Sequence, residues 1–505
     1  MPSRSVLFLP LIASAALSCG GGSETDSTPS TAGPDGTDWP VRSEQVGETR
    51  YDNVVLVTID TFRADHASCY GYQRRTTPFL DSLADRGAVF ERTISSLPFT
   101  APSHTSMLTG LHPEEHGVLH NGLAMPGDAV TAASLFRQAG FETAAFLNVE
   151  FLADVANDFD HVSPQPGRES KVVAAVEEYI LGIEPGSRQF LWIHLYSPHH
   201  WMFLRELEPR FLDEVRASTA LSDDELFRYL ADLHGMDLER FGDPWDPQLD
   251  RTFSGNVSFK IRSQADFLRY VDQYDALIRI ADDALERMYR AFHADPERGS
   301  TLWLVASDHG EGVLSHMEIG HGNSVFQEQL LVPMVVHASD DSIEPRRVPE
   351  LTQLVDIFPT FAEAAGFRLE GLDPQLRGRS LWPLLEGEEV DWSERVAFAQ
   401  RYPTHIRKES FDQEDVRAGT VPAKELMYSL QTEKLKIMRR ASGEEAFVDL
   451  ENDPLELELI LEPKTDAMHL LSVELLRKMA QFQRQSDLIF NEERLEELEK
   501  LGYVE

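Results

Sequence analysis

The stretch "NVVLVTID", residues 53–60, constrains the fold more than any other part of the sequence. Five of the six residues Val54 to Ile59 are apolar, and most are β-branched. Such a run lacks the polar alternation of a half-exposed strand, so it fits a strand buried on both faces. Comparable runs recur as "TAAFLN" from Thr143, "QFLWIHLY" from Gln189, "TLWLVASDHG" from Thr301 and "VPMVVHA" from Val332. Helical patterns lie between them, including "TPFLDSLADRGAVF" and "DQYDALIRIADDALERMYRAF". Strands alternating with helices imply an α/β fold, a mostly parallel sheet flanked by helices.

The ends of the chain have a different character. A single Arg, an apolar run from Val6 to Leu17 and small residues before Cys19 fit an export signal, too short for a comfortable membrane span. "ALSC" followed by "GGG" resembles a bacterial lipoprotein cleavage site. Residues 1–19 are therefore expected to form a lipoprotein-type signal peptide segment, with Cys19 as the lipidated first residue left after cleavage. Gly20 in place of Asp favours the outer membrane. The expected location is outside the cytoplasm, on the outer-membrane or periplasmic face, held to the bilayer by the acyl anchor. Residues 20–48, rich in Gly, Ser, Thr, Pro and Asp, read as a flexible tether. The principal domain is expected over 49–385, with an acidic insertion or lid at about 201–262 that interrupts the strand–helix rhythm. Residues 386–505 read as a smaller C-terminal α+β subdomain: short antiparallel strands in "MYSLQTEKLKIMRR" and "EEAFVDLENDP", then a helical tail from Thr465.

A net charge of −39, with no basic stripe, argues against nucleic acid as a partner. An anionic substrate would need a local positive site to overcome that field. Cys69 is the only cysteine besides Cys19, which excludes an internal disulfide in the mature chain and is read as a small buried residue.

Ligands of open α/β sheets bind beyond the carboxyl ends of the strands. Those ends deliver Asp60, then Asp308 and His309 within "SDHGE", and lead to His199 within "SPHH". Alone, an Asp after a strand is usually a turn residue. Two carboxylates and an imidazole at one sheet edge instead suit a divalent cation. "LPFTAPSHTSMLTG" adds a helix that begins near Pro102 and Ser103 and stops at Gly110, with Thr100 just before its first turn. A helix start offers free N–H groups, and a hydroxyl beside a metal can serve as a nucleophile. Local sequence also allows Thr100 or Ser103 to be a simple N-cap.

Four segments carry a resemblance: "VTIDTFRADHASCYGY", "TAPSHTSMLTGLHPEEHGV", "SDHGEGVLSHMEIGHGNSVFQEQLLVPMVV" and "FVDLENDPLE". Together they resemble the sulfatase-like family of the alkaline phosphatase superfamily, over roughly residues 53–453. The resemblance implies an alkaline-phosphatase-like fold and a hydrolase of sulfate or phosphate esters. It assigns Asp60, Thr100, Asp308 and His309 to the metal and Thr100 to nucleophilic attack. It places His104 in support of the nucleophile, Asn121 and His321 on the transferred group, and His199 near the leaving group. His316 and Asp275 are minor candidates, Asp275 being read more simply as helix surface.

Thr100-Ala-Pro-Ser-His104 departs from the family's Cys/Ser-x-Pro-x-Arg pattern. Threonine cannot mature to formylglycine, so elimination from an aldehyde hydrate is closed. Thr61 stands where many sulfatases carry another ligand Asp, and His309 where many carry Asn. The resemblance implies one Ca²⁺, whereas the His ligand and Thr nucleophile favour Mn²⁺ or Zn²⁺. The implied partner is an anionic ester: a sulfated or phosphorylated glycan, lipid or small molecule. Phosphodiesterases and phosphoglycerol transferases of the superfamily offer an alternative reading. A catalytically silent glycan- or lipid-binding homologue is another, against which the retained Asp60, Asp308 and His309 argue.

Overall fold

The computed structural model describes residues 47–482 apart from 128, 203–207, 237–249, 254–256, 262, 370–371, 373–375 and 403–425. The expected signal peptide, Cys19 and most of the tether lie outside the described residues, as does the end of the helical tail.

The buried run Asn53–Ile59 forms β1. It is followed by β2 (Ala88–Ile94), β3 (Phe141–Leu147), β4 (His161–Pro164) and β5 (Arg188–Leu195). A short hairpin pairs β6 (Asp250–Phe253) with β7 (Val257–Lys260). β8 (Thr301–Ser307) leads to a two-residue ribbon, β9 (Gly312–Val313) and β10 (Ile319–Gly320), then to β11 (Leu331–Ala338) and β12 (Arg346–Gln353). Eight strands make one sheet in the order β12-β2-β11-β8-β1-β5-β3-β4. All its pairings are parallel except those of β11, which runs antiparallel to both neighbours.

Alternation along β1 splits its side chains between two layers. Val55, Val57 and Ile59 join a core with Tyr274, Ile278, Ala281 and Leu285 of the long helix Gln264–Phe292. Thr58 points to the other layer, where it meets His104 of the helix Thr100–Thr109. Each buried Val or Ile contributes about 1.5–3 kcal/mol, so β1 is an anchored platform for the residue just past its end.

The helical pattern read through Phe90 ends at Ala84, and β2 starts at Ala88. Gly87 forces the change: a Cβ there would lie 2.3 Å from the Val336 carbonyl oxygen. β13 (Ala397–Arg401), β14 (Met427–Gln431), β15 (Leu435–Arg440) and β16 (Glu445–Asp449) form a separate antiparallel sheet. One of its faces packs Ala399, Met427 and Met438 on Ile94, Leu330 and Leu351 of the main sheet region. The other takes Met468, Leu471 and Leu475 of the helix Asp466–Phe482. Within the 201–262 segment, the helices Pro209–Ala217 and Asp223–Leu233 pack on the long helix. No helix among the described residues is long and apolar enough to cross a membrane.

Candidate active site

β1 and β8 are parallel neighbours in a register that sets Ile59 beside Ser307. The next residues, Asp60 and Asp308, therefore leave the sheet side by side, and His309 comes directly after. One ligand atom each of Asp60, Asp308 and His309 can be chosen so that all lie within 4.8 Å of one another. All three residues are fully buried. Asp60 Oδ1, Asp308 Oδ2 and His309 Nε2 have no hydrogen-bond partner. Buried polar atoms are almost always paired because desolvation is costly. Burial pushes the Asp60 carboxyl up to about 7, against the pull of His309. Two bare carboxylate oxygens and a bare imidazole nitrogen converging in a dry site fit a divalent cation, and these residues would hold it.

The second oxygen of Asp308 is fixed by protein. Oδ1 accepts from the backbone N–H groups of Thr61 at 3.2 Å and His309 at 2.9 Å. Thr61 has φ of +55°, a left-handed conformation that a β-branched residue rarely adopts. Its carbonyl accepts from the Tyr274 hydroxyl at 2.6 Å, and its own hydroxyl donates to the Asp60 carbonyl at 2.7 Å. The position where many sulfatases carry another ligand Asp thus holds a strained turn.

The helix Thr100–Thr109 begins two residues earlier than the sequence pattern placed it. Its N-cap is Phe99, with no side-chain cap, so neither Thr100 nor Ser103 acts as one. Thr100 Oγ1 instead donates toward Asp60 Oδ2 at 3.3 Å. Ser103 Oγ donates to the Asp308 carbonyl at 2.7 Å, a structural bond that holds the helix to the end of β8. The expected open N–H groups of the first turn are largely committed. Ala101 N–H donates to Asn121 Oδ1 at 2.8 Å, Pro102 has none, and Ser103 N–H donates to Phe99 O at 3.1 Å. The bond from Ala101 leaves buried Asn121 Nδ2 without a partner.

His104 is fully buried one turn along the helix. Its Nδ1 donates to the Thr100 carbonyl at 2.7 Å, and its Nε2 lies 2.9 Å from Thr58 Oγ1. The same Thr58 oxygen accepts from Trp192 Nε1 at 3.1 Å and meets His194 Nδ1 at 3.2 Å. His194 Nε2 stands 3.4 Å from Asp60 Oδ2. Burial lowers His104 to about 3 and His194 to about 4, so both rings are neutral near neutral pH.

A second ring of groups borders this centre. His321 lies between His309, at 4.6 Å between ring centroids, and His199, at 5.0 Å. His321 Nδ1 is 3.2 Å from Glu311 Oε2. Burial pushes Glu311 up to about 8. His199 stacks on Tyr196 at 4.3 Å. The turn that carries it is held by buried Glu169, which accepts from the N–H groups of Tyr196 and Ser197 at 2.8 and 2.6 Å.

Sequence reasoning missed Thr58, Glu169, His194 and Glu311. The signal for His194 was a histidine inside the apolar run "FLWIHLY"; for Glu311 it was the last letter of "SDHGE". Glu169 left no local signal. His316 belongs elsewhere: it pairs with Glu328 at 3.0 Å, stacks on Phe326 and bonds the Glu456 carbonyl. Asp275 is not on a helix surface. It is fully buried and bonded to His66, Tyr72 and Arg74. Cys69 is only partly buried, against the main core.

A large, mostly parallel sheet with acidic and imidazole groups at its carboxyl edge, beside a hydroxyl at a helix start, defines a hydrolase of the alkaline-phosphatase-like type. Residues 52–367 match the family model described as Sulfatase, and the chain belongs to the sulfatase family. Members of that family generally use a divalent metal. The chain is 19% identical over 365 residues to a Delta 4,5-hexuronate-2-O-sulfatase of Bacteroides thetaiotaomicron, covering 67% of this chain and 72% of that protein. It is 23% identical over 455 residues to an arylsulfatase of Clostridium perfringens, covering 80% and 89%. Its fold superposes with a TM-score of 0.64 on the phosphonate monoester hydrolase of Agrobacterium radiobacter, at 20% identity, covering 86% of this chain and 95% of that one.

Proposed function

We propose that this protein is a metal-dependent hydrolase of sulfate or phosphate-type esters in which Thr100 Oγ1 is the nucleophile. The observation that carries the reading is the convergence of three bare, buried ligand atoms from Asp60, Asp308 and His309 with the Thr100 hydroxyl on Asp60. A divalent cation bound there supplies Lewis acidity, which eases loss of the hydroxyl proton and offsets charge on the transferred group. Mn²⁺ or Zn²⁺ suits the imidazole ligand better than Ca²⁺.

Thr100 Oγ1 attacks sulfur or phosphorus in line with the leaving oxygen. A bond to Oγ1 forms, the bond to the leaving oxygen breaks, and a Thr100 ester remains. Asn121 Nδ2, free of other bonds, donates to an oxygen of the transferred group. His321 borders that group, and His199 stands beside the leaving oxygen, which takes up the proton that Thr100 releases. Water then cleaves the Thr100 ester, restoring the hydroxyl. His104 holds the Thr100 carbonyl and so sets the first turn of the helix. The saccharide named for the Bacteroides relative makes sulfated glycans the first substrate class to test, and the Agrobacterium hydrolase adds phosphonate monoesters. The proposed place of action is outside the cytoplasm, with the chain anchored through Cys19.

The test is turnover of aryl sulfate, aryl phosphate, bis-aryl phosphate and aryl phosphonate monoester with Mn²⁺, Zn²⁺ or Ca²⁺ added. Thr100→Ala should lower kcat about 10³-fold or more while metal binding persists. Full activity in that variant would remove Thr100 from the mechanism.

A further inference from the structure

The apolar stripe of the helix Glu169–Leu181 begins with an acid. Val172, Val173, Val176 and Ile180 pack the helix on the main core, and Glu169 stands one turn before Val172 and Val173 on the same face. That spacing carries a carboxylate, only 5% exposed, to the carboxyl end of β5. β5 stops at Leu195, whose carbonyl still accepts from the Asp60 N–H at 2.9 Å. The next two N–H groups, of Tyr196 and Ser197, lie past the end of the strand. Glu169 Oε1 accepts from both, at 2.8 and 2.6 Å. The far end of the following turn, Ser197–Met202, is tied from the long helix, where Gln273 Nε2 donates to the Trp201 carbonyl at 3.0 Å. Between these two ties lies His199, its ring stacked on that of Tyr196 at 4.3 Å with an interplanar angle of 21°.

A carboxylate is a costly way to fill a core position. Glu169 Oε2 is buried without a partner, and burial pushes the group up to about 7 despite the two N–H bonds. An apolar residue there would pack without that cost. It would also leave the two N–H groups unpaired and the turn free to take another course. What the carboxylate fixes is the path of Tyr196 and Ser197, and with it the ring on which His199 rests. We infer that Glu169 is a positioning residue for the reaction: it holds the turn after β5 so that His199 stands beside the leaving oxygen of the ester. This rests on the hydrolase reading above and on the place given there to His199.

A group beside the leaving oxygen matters most when the leaving group is poor, because more charge gathers on that oxygen as the bond breaks. The test is a series of aryl esters with phenols of falling acidity, turned over by the full-length protein with Mn²⁺ or Zn²⁺ present. The readout is kcat/KM, which reports the step that breaks the leaving bond. Glu169→Ala should lose about 10²-fold on the poorest leaving group and less than about three-fold on the best. His199→Ala should show the same tilt, and the double variant should be no slower than His199→Ala alone, because both changes remove one interaction. Glu169→Gln keeps an acceptor for both N–H groups and should stay within about three-fold of wild type on every ester. An equal loss on all esters in Glu169→Ala, losses that multiply in the double variant, or a Gln variant as tilted as the Ala variant would overturn the positioning role and leave the hydrolase reading standing. A His199→Ala series without tilt would overturn the place given to His199, and this inference with it. No turnover of any ester by wild type would overturn the hydrolase reading as well. If Glu169→Ala does not fold by circular dichroism, Glu169→Asp decides by the same series, since it keeps the charge and draws the oxygens back by one methylene.

Discussion

Two buried histidine–aspartate clusters lie near the end of β1, and they differ in how their polar atoms are satisfied. In the first, Asp275 accepts from His66 Nδ1 at 2.7 Å, Tyr72 at 2.8 Å and Arg74 at 2.8 Å. His66 Nε2 meets His234 Nε2 at 3.2 Å, and His234 Nδ1 meets Ser315 Oγ at 3.1 Å. In the second, Asp60, Asp308, His194 and His309 each leave one buried polar atom bare. Both are fully buried and built on His and Asp, but only the first holds an Arg to balance its carboxylate. In the first cluster every carboxylate and imidazole atom named is paired, its one bare atom is the donor Arg74 Nε, which cannot bind a cation, and it fastens His234, from the 201–262 segment, to the turn after β1. The second is completed only by something from outside. Bare atoms, more than the presence of His and Asp, separate a binding site from a structural network.

The largest expected effect that sharpens this contrast is on stability. Asp275→Asn leaves Arg74 and His66 with a weakened partner and should cost about 3 kcal/mol, read as a lower urea midpoint with an unchanged slope. Asp60→Asn removes a buried charge with no counter-cation in the metal-free protein, so it should raise the melting temperature under chelation. Equal losses in both variants would erase the distinction between the clusters.

A bound cation should reverse that ranking at the open cluster alone. A divalent ion at 100 times its Kd adds about 2.7 kcal/mol of stability. Wild type and Asp275→Asn should both gain this on adding Mn²⁺ or Zn²⁺, whereas Asp308→Asn should gain little. Differential scanning calorimetry with and without chelator measures all three. A gain in Asp308→Asn as large as in wild type would move the cation elsewhere.

The sheet and the strand-end residues were legible because a buried parallel strand leaves an unbroken β-branched run, and the first residue past such a run must lie at the ligand edge. Asp60, Asp308 and His309 were found that way. β2 was missed because "GAVF" continues a helical pattern and only the close approach of Gly87 to Val336 breaks it. Asp275 was misplaced because "QYDALIRIADD" looks amphipathic, yet its Asp is compensated by His66, Tyr72 and Arg74 from 200 or more residues away. His194 was overlooked because a histidine inside the apolar run "FLWIHLY" reads as core, and its approach to Asp60 exists only once β1 and β5 are paired. Pairing across the chain has no local signature; runs, caps and strand ends do.

The smallest effect concerns a third, also closed, cluster that steadies the loop bearing His321. Burial opposes charge on His316, but the hydrogen bond and charge of Glu328, with the Glu456 carbonyl, outweigh it and raise it to about 9. A histidine raised on folding stabilises fully below its unfolded value of about 6.5, and the contribution disappears as pH rises through about 9. Leu314 and His316 both have positive φ, so this loop depends on its side-chain anchors. Wild type should therefore exceed His316→Gln in melting temperature most at pH 6, with the gap narrowing toward pH 10. The expected difference is on the order of 2 kcal/mol at its widest. A gap that stays constant from pH 6 to 10 would mean the charge on His316 contributes nothing, and that stacking on Phe326 alone holds the loop.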